Sequence, residues 1–291
     1  MITVPFTKMV GTGNDFIVMD ARRGLLARRH LSWREASRVL CDRHVGIGAD
    51  GVLVLERSTK ADARMRVFNP DGSEAEMCGN GARCVALYLA SSGQRAASSS
   101  ARHMTIETKA GVMSAAVRRN RVAMRMTNPR GIKLNMRVTA NGRRWRLGFV
   151  NTGVPHVVIP VPAVDRIDVE QVGRALRYHR AFAPRGSNVD FIQPTRRNAL
   201  RVRTYERGVE GETLACGTGV AASAVIHALN TRRNGGAQRR IQVETKSGDI
   251  LTVSFAINGS RKPRVIDLIL EGPAARVFEG MVQWTQHRSR G

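Results

Sequence analysis

The sequence predicts an α+β protein built from two similar halves. Three observations carry that expectation. Twelve short runs that alternate or are rich in Val and Ile outnumber four helix-like stretches. The 291-residue length suits about two domains at roughly 150 residues each. An internal duplication then aligns one half with the other. AEMCGNGARCVALYLA (75–90) matches TLACGTGVAASAVIHA (213–228) at an offset of 138, and IETKAG (106–111) matches VETKSG (243–248) at 137. Thr12-Gly13 matches Thr152-Gly153 at 140, each followed by a strand-like run. Collinear matches at a near-constant offset this long indicate two copies of a domain rather than a solenoid repeat. Two copies related by a pseudo-twofold axis leave a cleft between them as the expected ligand site.

Taken in chain order, strand-like runs at 2–9 and 15–20 come first. A helix is expected over about 32–43, opened by the capping box Ser32-x-x-Glu35. Strands follow at 51–56 and 64–69. The first Cys-Gly motif opens a helix over about 80–91, which runs into a polar loop, GQRAASSSAR (93–102). Strands at 104–108 and 121–126 complete the half. The second half reads as strand 155–160, a weaker helix over about 168–178, and strands 188–193 and 200–205. The second Cys-Gly motif opens a helix over about 218–230, followed by strands 241–245, 249–256 and 264–270.

Composition excludes several classes. With 42% hydrophobic and 24% charged residues the chain reads as an ordinary globular protein. No run reaches the ~18 uninterrupted apolar residues of a membrane span. The start, MITVPFTKMVGTGNDF, lacks the basic and apolar regions of a signal peptide, so a cytoplasmic location is expected. The charge stands out: 47 Lys+Arg against 23 Asp+Glu gives +24, and only 6 of the 47 are Lys. That points first to a polyanion binder. The Arg pairs argue otherwise. Arg22-Arg23, Arg28-Arg29, Arg118-Arg119, Arg143-Arg144, Arg232-Arg233 and Arg239-Arg240 are spread along the chain between the other motifs. Aromatic residues make up only 5%, too few for a base-stacking platform. No specific nucleic-acid partner and no membrane partner are expected.

The four cysteines match neither a disulfide framework nor a zinc pattern. The seven histidines form no metal-spaced cluster, so no metal is expected. GTGNDF (11–16) lacks the full dinucleotide fingerprint. Cys41 and Cys84 fall in helical runs and read as small core residues. Cys78-Gly79-Asn80-Gly81 and Cys216-Gly217-Thr218-Gly219 differ from them. Each stands between a strand-like approach and a helix, where free N–H groups and the helix dipole make an anion site. A Cys there can have its pKa lowered to somewhere in ~3.5–7.5. The expected ligand group is a carboxylate with a thiol beside its α-carbon. One thiolate could remove a proton from one face and the other thiol deliver one to the opposite face, inverting the centre without a cofactor. A disulfide between the two would remove both acid and base.

At these residues the chain resembles the diaminopimelate epimerase family, two-cysteine epimerases that work without pyridoxal phosphate. The resemblance rests on six ordered blocks: KMVGTGNDFIVMD (8–20), RHVGIGADGVLVLE (43–56), FNPDGSEAEMCGNGARC (68–84), NTGVPHVV (151–158), GSNVDFIQ (186–193) and YERGVEGETLACGTG (205–219). It implies two halves, each a curved antiparallel sheet around a central helix. The first would run over 1–128 and the second over 129–274, with 276–284 returning to the first half as a strand and 285–291 a frayed basic tail. It implies epimerisation of LL-2,6-diaminopimelate to the meso form in lysine and peptidoglycan-precursor synthesis, by a homodimer that needs no cofactor. Closure about a hinge between the halves, expelling water, is a further expectation.

The resemblance also implies roles. Cys78 and Cys216 are the acid/base pair. Gly79, Asn80, Gly217 and Thr218 hold the carboxylate at the reacting centre, and Asn14, Asn69, Asn188, Glu206 and Arg207 grip the substrate. Arg207 suits the distal carboxylate. His156 and Glu206 tune the thiols. Three departures touch the contacts. Val154 stands where many members have Asn, Gly51 where many have Gln, and Val10 where a His is frequent. Val154 has no side-chain hydrogen bond to offer, so that contact is lost or made by backbone.

Overall fold

The structure, a computed structural model, describes residues 2–23, 32–92, 100–231, 238–259 and 263–284. Most of the expected loop 93–102, the tail 285–291, and the pairs Arg28-Arg29 and Arg232-Arg233 lie outside the described residues. The chain divides into two compact units, Met1–Met124 with Pro273–Gly291, and Arg125–Gly272.

The first unit runs β1 (Ile2–Gly11), β2 (Asn14–Asp20), α1 (Trp33–Leu40), β3 (Gly51–Glu56), β4 (Ala63–Phe68), β5 (Glu74–Ala75), α2 (Gly79–Ser91), β6 (Arg102–Thr108), β7 (Gly111–Arg118) and β8 (Arg121–Arg125). The second runs β9 (Arg130–Ala140), β10 (Arg143–Asn151), β11 (Pro155–Pro160), α3 (Val169–Arg177), β12 (Asn188–Arg196), β13 (Ala199–Glu206), β14 (Gly211–Thr213), α4 (Gly217–Asn230), β15 (Gln238–Glu244), β16 (Ile250–Asn258) and β17 (Arg264–Pro273). The last strand, β18 (Ala275–Trp284), pairs antiparallel with β1 from Ile2↔Trp284 to Val10↔Ala275. In the second unit β9 pairs with β10 in the corresponding place. From β1 and from β10 onward the two units therefore repeat the same order of elements.

The sheets are mixed rather than wholly antiparallel as the resemblance implied. β2–β3 and β4–β6 run parallel in one unit, and β11–β12 and β13–β15 in the other. The physical reason is the four helices. Parallel neighbours cannot be joined by a hairpin and need a crossover, and α1, α2, α3 and α4 lie in those four connections.

Two of the helices carry side-chain caps, the first of them read from sequence. Ser32 accepts the Glu35 N–H at 3.4 Å, and Asp168 accepts the Gln171 N–H at 2.9 Å. These two helices cover one face of their sheets, and α2 and α4 the other. Phe16, Val18, Leu53 and Leu55 share a core with α2, whereas Ile17, Met19, Val52 and Val54 pack with Trp33, Ala36 and Leu40 of α1. Burial on both faces explains why FIVM and GVLVL read as unbroken apolar runs. The second unit repeats this, with Val158 and Ile192 on the α4 side and Val157, Ile159, Val189 and Phe191 on the α3 side. α4 is buried at every position from Gly219 to Leu229, and strands β10–β13, β15 and β16 contact it. A helix apolar all round belongs inside a core, so the central-helix expectation holds.

Strands β7, β9 and β10 were not expected. In β9, Lys133, Asn135, Arg137 and Thr139 are exposed while Val138 and Ala140 are buried. Such a strand has one solvated face, and its charged half dilutes the apolar signal. No described helix is long and apolar enough to cross a membrane.

Candidate active site

Each Cys-Gly motif folds as the start of a central helix. Cys78 is the N-cap of α2, with extended backbone (φ −137°, ψ 117°), and Cys216 is the N-cap of α4 (φ −116°, ψ 110°). An N-cap must leave helical φ/ψ, and the strand-like approach supplies that. The two glycines of each motif do different work. A Cβ on Gly81 would lie 2.9 Å from Leu53 Cδ2, and one on Gly219 only 2.3 Å from Asp190 Oδ1. A Cβ on Gly79 meets nothing within 4 Å. The second glycine lets each helix seat on its sheet. The first leaves the start of α2 open, whereas a Cβ on Gly217 would press to 3.1 Å from Leu270 Cδ2.

Around Cys78 the first unit builds a polar cluster. The Gly81 N–H donates to Cys78 Sγ at 3.4 Å. Asn80 donates from Nδ2 to Asn14 Oδ1 at 2.6 Å, and Asn14 donates to Asp50 Oδ2 at 3.0 Å. Arg83, fully buried, donates from Nη2 to Asn80 Oδ1 at 2.7 Å and to Thr12 Oγ1 at 2.6 Å. Thr12 adopts a left-handed φ of 51°, uncommon for a β-branched residue. Behind Asn14 lies an ion cluster. Arg43 bridges Asp15 at 2.7 Å and Asp50 at 2.9 Å, and Lys8 pairs with Asp15 at 2.7 Å. Burial raises the Asp15 carboxyl, but hydrogen bonds from Arg43 and Lys8 outweigh it and bring it to about 2. Asn69 lies apart from these bonds, its Nδ2 donating to Ser73 Oγ at 2.9 Å within the turn after β4.

Around Cys216 the second unit builds a different cluster. His156 Nδ1 lies 2.7 Å from Asp190 Oδ2, with both side chains fully buried. With the carboxylate accepting from Nδ1–H, Nε2 faces Thr218 Oγ1 at 2.9 Å, and Thr218 Oγ1 lies 3.4 Å from Cys216 Sγ. Asp190 also accepts from Thr204 Oγ1 at 2.8 Å. The result is a chain of polar contacts from Asp190 through His156 and Thr218 to the thiol. Burial first, then the Glu206 and Asp190 carboxylates, push the Cys216 thiol far up, so at neutral pH the sulfur keeps its proton. Burial likewise raises Glu206, against the pull of polar neighbours that include Cys216. Asn188 spans three strands. Its Nδ2 donates to Pro155 O at 3.3 Å and lies 3.4 Å from His156 Nε2, while its Oδ1 accepts the Arg207 N–H at 2.7 Å.

The structure thus gathers Asn14 and Asn80 in the first unit, and His156, Asn188, Glu206 and Thr218 with Cys216 in the second. It keeps Asn69 in a turn, and leaves Arg207 half-buried with its Nη1 donating to Arg185 O at 3.4 Å. The Val154 carbonyl, offered as a backbone substitute for the missing side chain, accepts the Thr152 N–H at 3.2 Å. Cys41 and Cys84 lie in the cores, where burial pushes their thiols up to about 11 and about 12. Among the described residues, no group of three His, Cys, Asp or Glu side chains is placed to hold a metal ion.

Sequence reading missed Asp190, Asp50, Arg83 and the tie made by each Thr-Gly pair to its own helix start. Thr12 accepts from Arg83, and Thr152 Oγ1 donates to Thr218 O at 2.9 Å. A signal for Asp190 was present, namely a lone acid within the apolar run Val189–Ile192, where burial demands a partner.

A family model described as "Diaminopimelate epimerase" matches residues 6–132 and 148–265. A protein named "Diaminopimelate epimerase" from Hydrogenobaculum sp. (strain Y04AAS1) is 41% identical over 96% of this chain and 98% of its own length. One of the same name from Methanothrix thermoacetophila is 42% identical over 97% of each. Among solved structures, a Bacillus anthracis phenazine biosynthesis protein of the PhzF family superposes with a TM-score of 0.72 at 20% identity, covering 98% of this chain and 100% of that one. A probable proline racemase from Agrobacterium radiobacter K84 gives 0.67 at 20% identity, covering 99% and 94%. At these identities the structural matches speak for the fold alone.

Proposed function

Because the chain belongs to the diaminopimelate epimerase family, we propose that it inverts the α-carbon of LL-2,6-diaminopimelate to give the meso isomer, supplying lysine and peptidoglycan-precursor synthesis. One observation carries the reading: two cysteines, one per unit, occupy the same position at the start of an equivalent buried helix.

Cys78 as thiolate takes the α-proton, leaving a carbanion with enolate character and a Cys78 thiol. Cys216 gives its S–H proton to the opposite face and is left as thiolate. The division follows from the surroundings. Cys78 Sγ receives the Gly81 N–H, which favours negative charge on sulfur, whereas Cys216 is buried beside two carboxylates and holds its proton. The reverse reaction exchanges the roles. N–H groups opening the helices at Gly79-Asn80 and Gly217-Thr218 stabilise the substrate carboxylate as charge builds on it. Asn14, Asn69, Asn188, Glu206 and Arg207 hold the remainder of the substrate, with Arg207 on the distal carboxylate. His156 and Glu206 set the protonation of the neighbouring thiol. Both proton transfers use the chain's own thiols, so the scheme draws on no cofactor.

We further propose a cytoplasmic homodimer without a specific nucleic-acid partner. For the last of these the support is that arginines pair with carboxylates along the chain, as in Arg22–Asp20, Arg125–Asp267 and Arg201–Asp165.

Chiral chromatography of purified protein incubated with LL-diaminopimelate, L-proline, trans-4-hydroxy-L-proline or L-histidine, with no cofactor added, tests the substrate. Conversion of diaminopimelate alone is expected. Turnover of a different amino acid with diaminopimelate inert would assign the chain another substrate.

A further inference from the structure

The third block of the duplication, IETKAG and VETKSG, has no part in the chemistry above. Its lysines, Lys109 and Lys246, meet the same partner in each unit. Glu74 and Glu212 each stand four residues before a capping cysteine. Glu74 accepts a fork from Arg66, Nε at 2.8 Å and Nη2 at 3.0 Å, and Lys109 Nζ closes on it at 2.8 Å. Glu212 accepts the same fork from Arg203, at 2.6 and 2.8 Å, and Lys246 Nζ closes on it at 2.7 Å. The Glu side chains are only 6% and 7% exposed.

The topology gives these contacts a purpose. Arg66 and Arg203 come from β4 and β13, each glutamate from the short strand paired with it, and each lysine from the turn after β6 or β15. Three pieces of chain thus converge on one buried carboxylate just before each thiol. In the second unit two backbone ties reinforce the arrangement. Ser247 N–H donates to Leu214 O at 3.2 Å, between Glu212 and Cys216, and the Glu212 N–H donates to Glu170 Oε1 at 2.8 Å. A bidentate Arg–carboxylate pair fixes orientation as well as distance. The Arg66 hydrogen bonds, against the effect of burial and with help from Lys109, hold the Glu74 carboxyl down to about 2, so it is ionised throughout the working range.

We infer that Arg66–Glu74–Lys109 and Arg203–Glu212–Lys246 are paired positioning clamps, each fixing the short segment that carries its own thiol, Cys78 or Cys216, onto the start of its helix. The inference rests on the reading of these two cysteines as the acid–base pair. Proton transfer tolerates little misplacement, and an error of about 1 Å can cost about 100-fold. A duplicated device at a fixed spacing from both thiols answers that need.

Glu74→Gln and Glu212→Gln, which keep shape but remove charge, test it. On the native enzyme, alkylation by iodoacetamide is followed across pH for each cysteine by peptide mass spectrometry, beside steady-state kinetics and thermal melting. The expected result is a changed alkylation profile for Cys78 alone in Glu74→Gln and for Cys216 alone in Glu212→Gln. kcat should fall by about 10- to 100-fold with KM near its original value. An unchanged kcat, or an equal response of both thiols in each variant, would overturn the clamps. Should either variant unfold below the assay temperature, Lys109→Met and Lys246→Met keep the arginine fork and are read the same way. The alkylation profiles need no substrate. Selective profiles in a protein inert toward diaminopimelate would therefore retain the clamps and reject the proposed reaction.

Discussion

Cys78→Ala and Cys216→Ala are each expected to lower turnover by about 10²- to 10⁴-fold, the contribution of one positioned acid or base. Inversion needs both groups, so neither remaining thiol can substitute for the missing one. Cys78 is half-buried and caps α2 through its sulfur, and Cys216 is buried, so each variant should stay folded with only a modest loss of stability beside the loss of turnover. Cys84→Ala and Cys41→Ala should behave in the opposite way, keeping activity and losing stability through a cavity in a packed core. Steady-state kinetics and melting of the four variants separate these patterns. Full activity in either Cys78→Ala or Cys216→Ala would remove the two-thiol scheme.

Asp190→Ala should be the most damaging single change to the second unit. Asp190 and His156 are both fully buried and 2.7 Å apart, and Thr204 depends on the same carboxylate. Removing one partner of a buried pair leaves the other desolvated and unsatisfied, at a cost of about 3–5 kcal/mol. It also releases the His156 ring, and with it Thr218 at the start of α4. Urea unfolding should therefore show a midpoint displaced to lower concentration, and residual activity should fall even where the protein stays folded. A midpoint unchanged from the parent would show that the pair has no such structural role.

Much of this could be read from the chain, for identifiable reasons. The helix starts were legible because Ser32 and the two Cys-Gly motifs are local signals that act within a few residues. The duplication was legible as a spacing, and both units do repeat one order of elements. The parallel pairs were missed although the unbroken apolar runs FIVM and GVLVL, with a helix between them, carried a signal for them, because the resemblance pointed to antiparallel sheets. β9 escaped because its charged face hides the alternation. Within the site, the resemblance named Asn14, Asn80, His156 and Glu206, but the residues that orient them lie elsewhere in sequence. Asp50 holds Asn14 across 36 positions, and Asp190 holds His156 across 34. Asp190 stands out locally only as a lone acid in an apolar run, and nothing local names its partner. The Lys109 and Lys246 blocks were seen as matching sequence, and their meaning came only from the glutamates they meet.

The charge of +24 reads differently once its arginines are placed. Arg66 and Arg203 hold the approach to the thiols, Arg83 is buried against Asn80, and Arg43 braces the acids behind Asn14. A share of the positive charge is thus structural material around the helix starts rather than a surface for a polyanion.

The central claim is that different sulfurs handle the two faces of one carbon. It is tested by running LL-diaminopimelate in deuterated water and reading label in product and recovered substrate at low conversion by mass spectrometry. Cys78 would take protium from the substrate and return protium on reversal, while Cys216, exchanged with solvent, would deliver deuterium. The expected result is a meso product labelled at the inverted carbon beside LL substrate that stays unlabelled. Equal label in both, or a product that keeps its protium, would contradict the account.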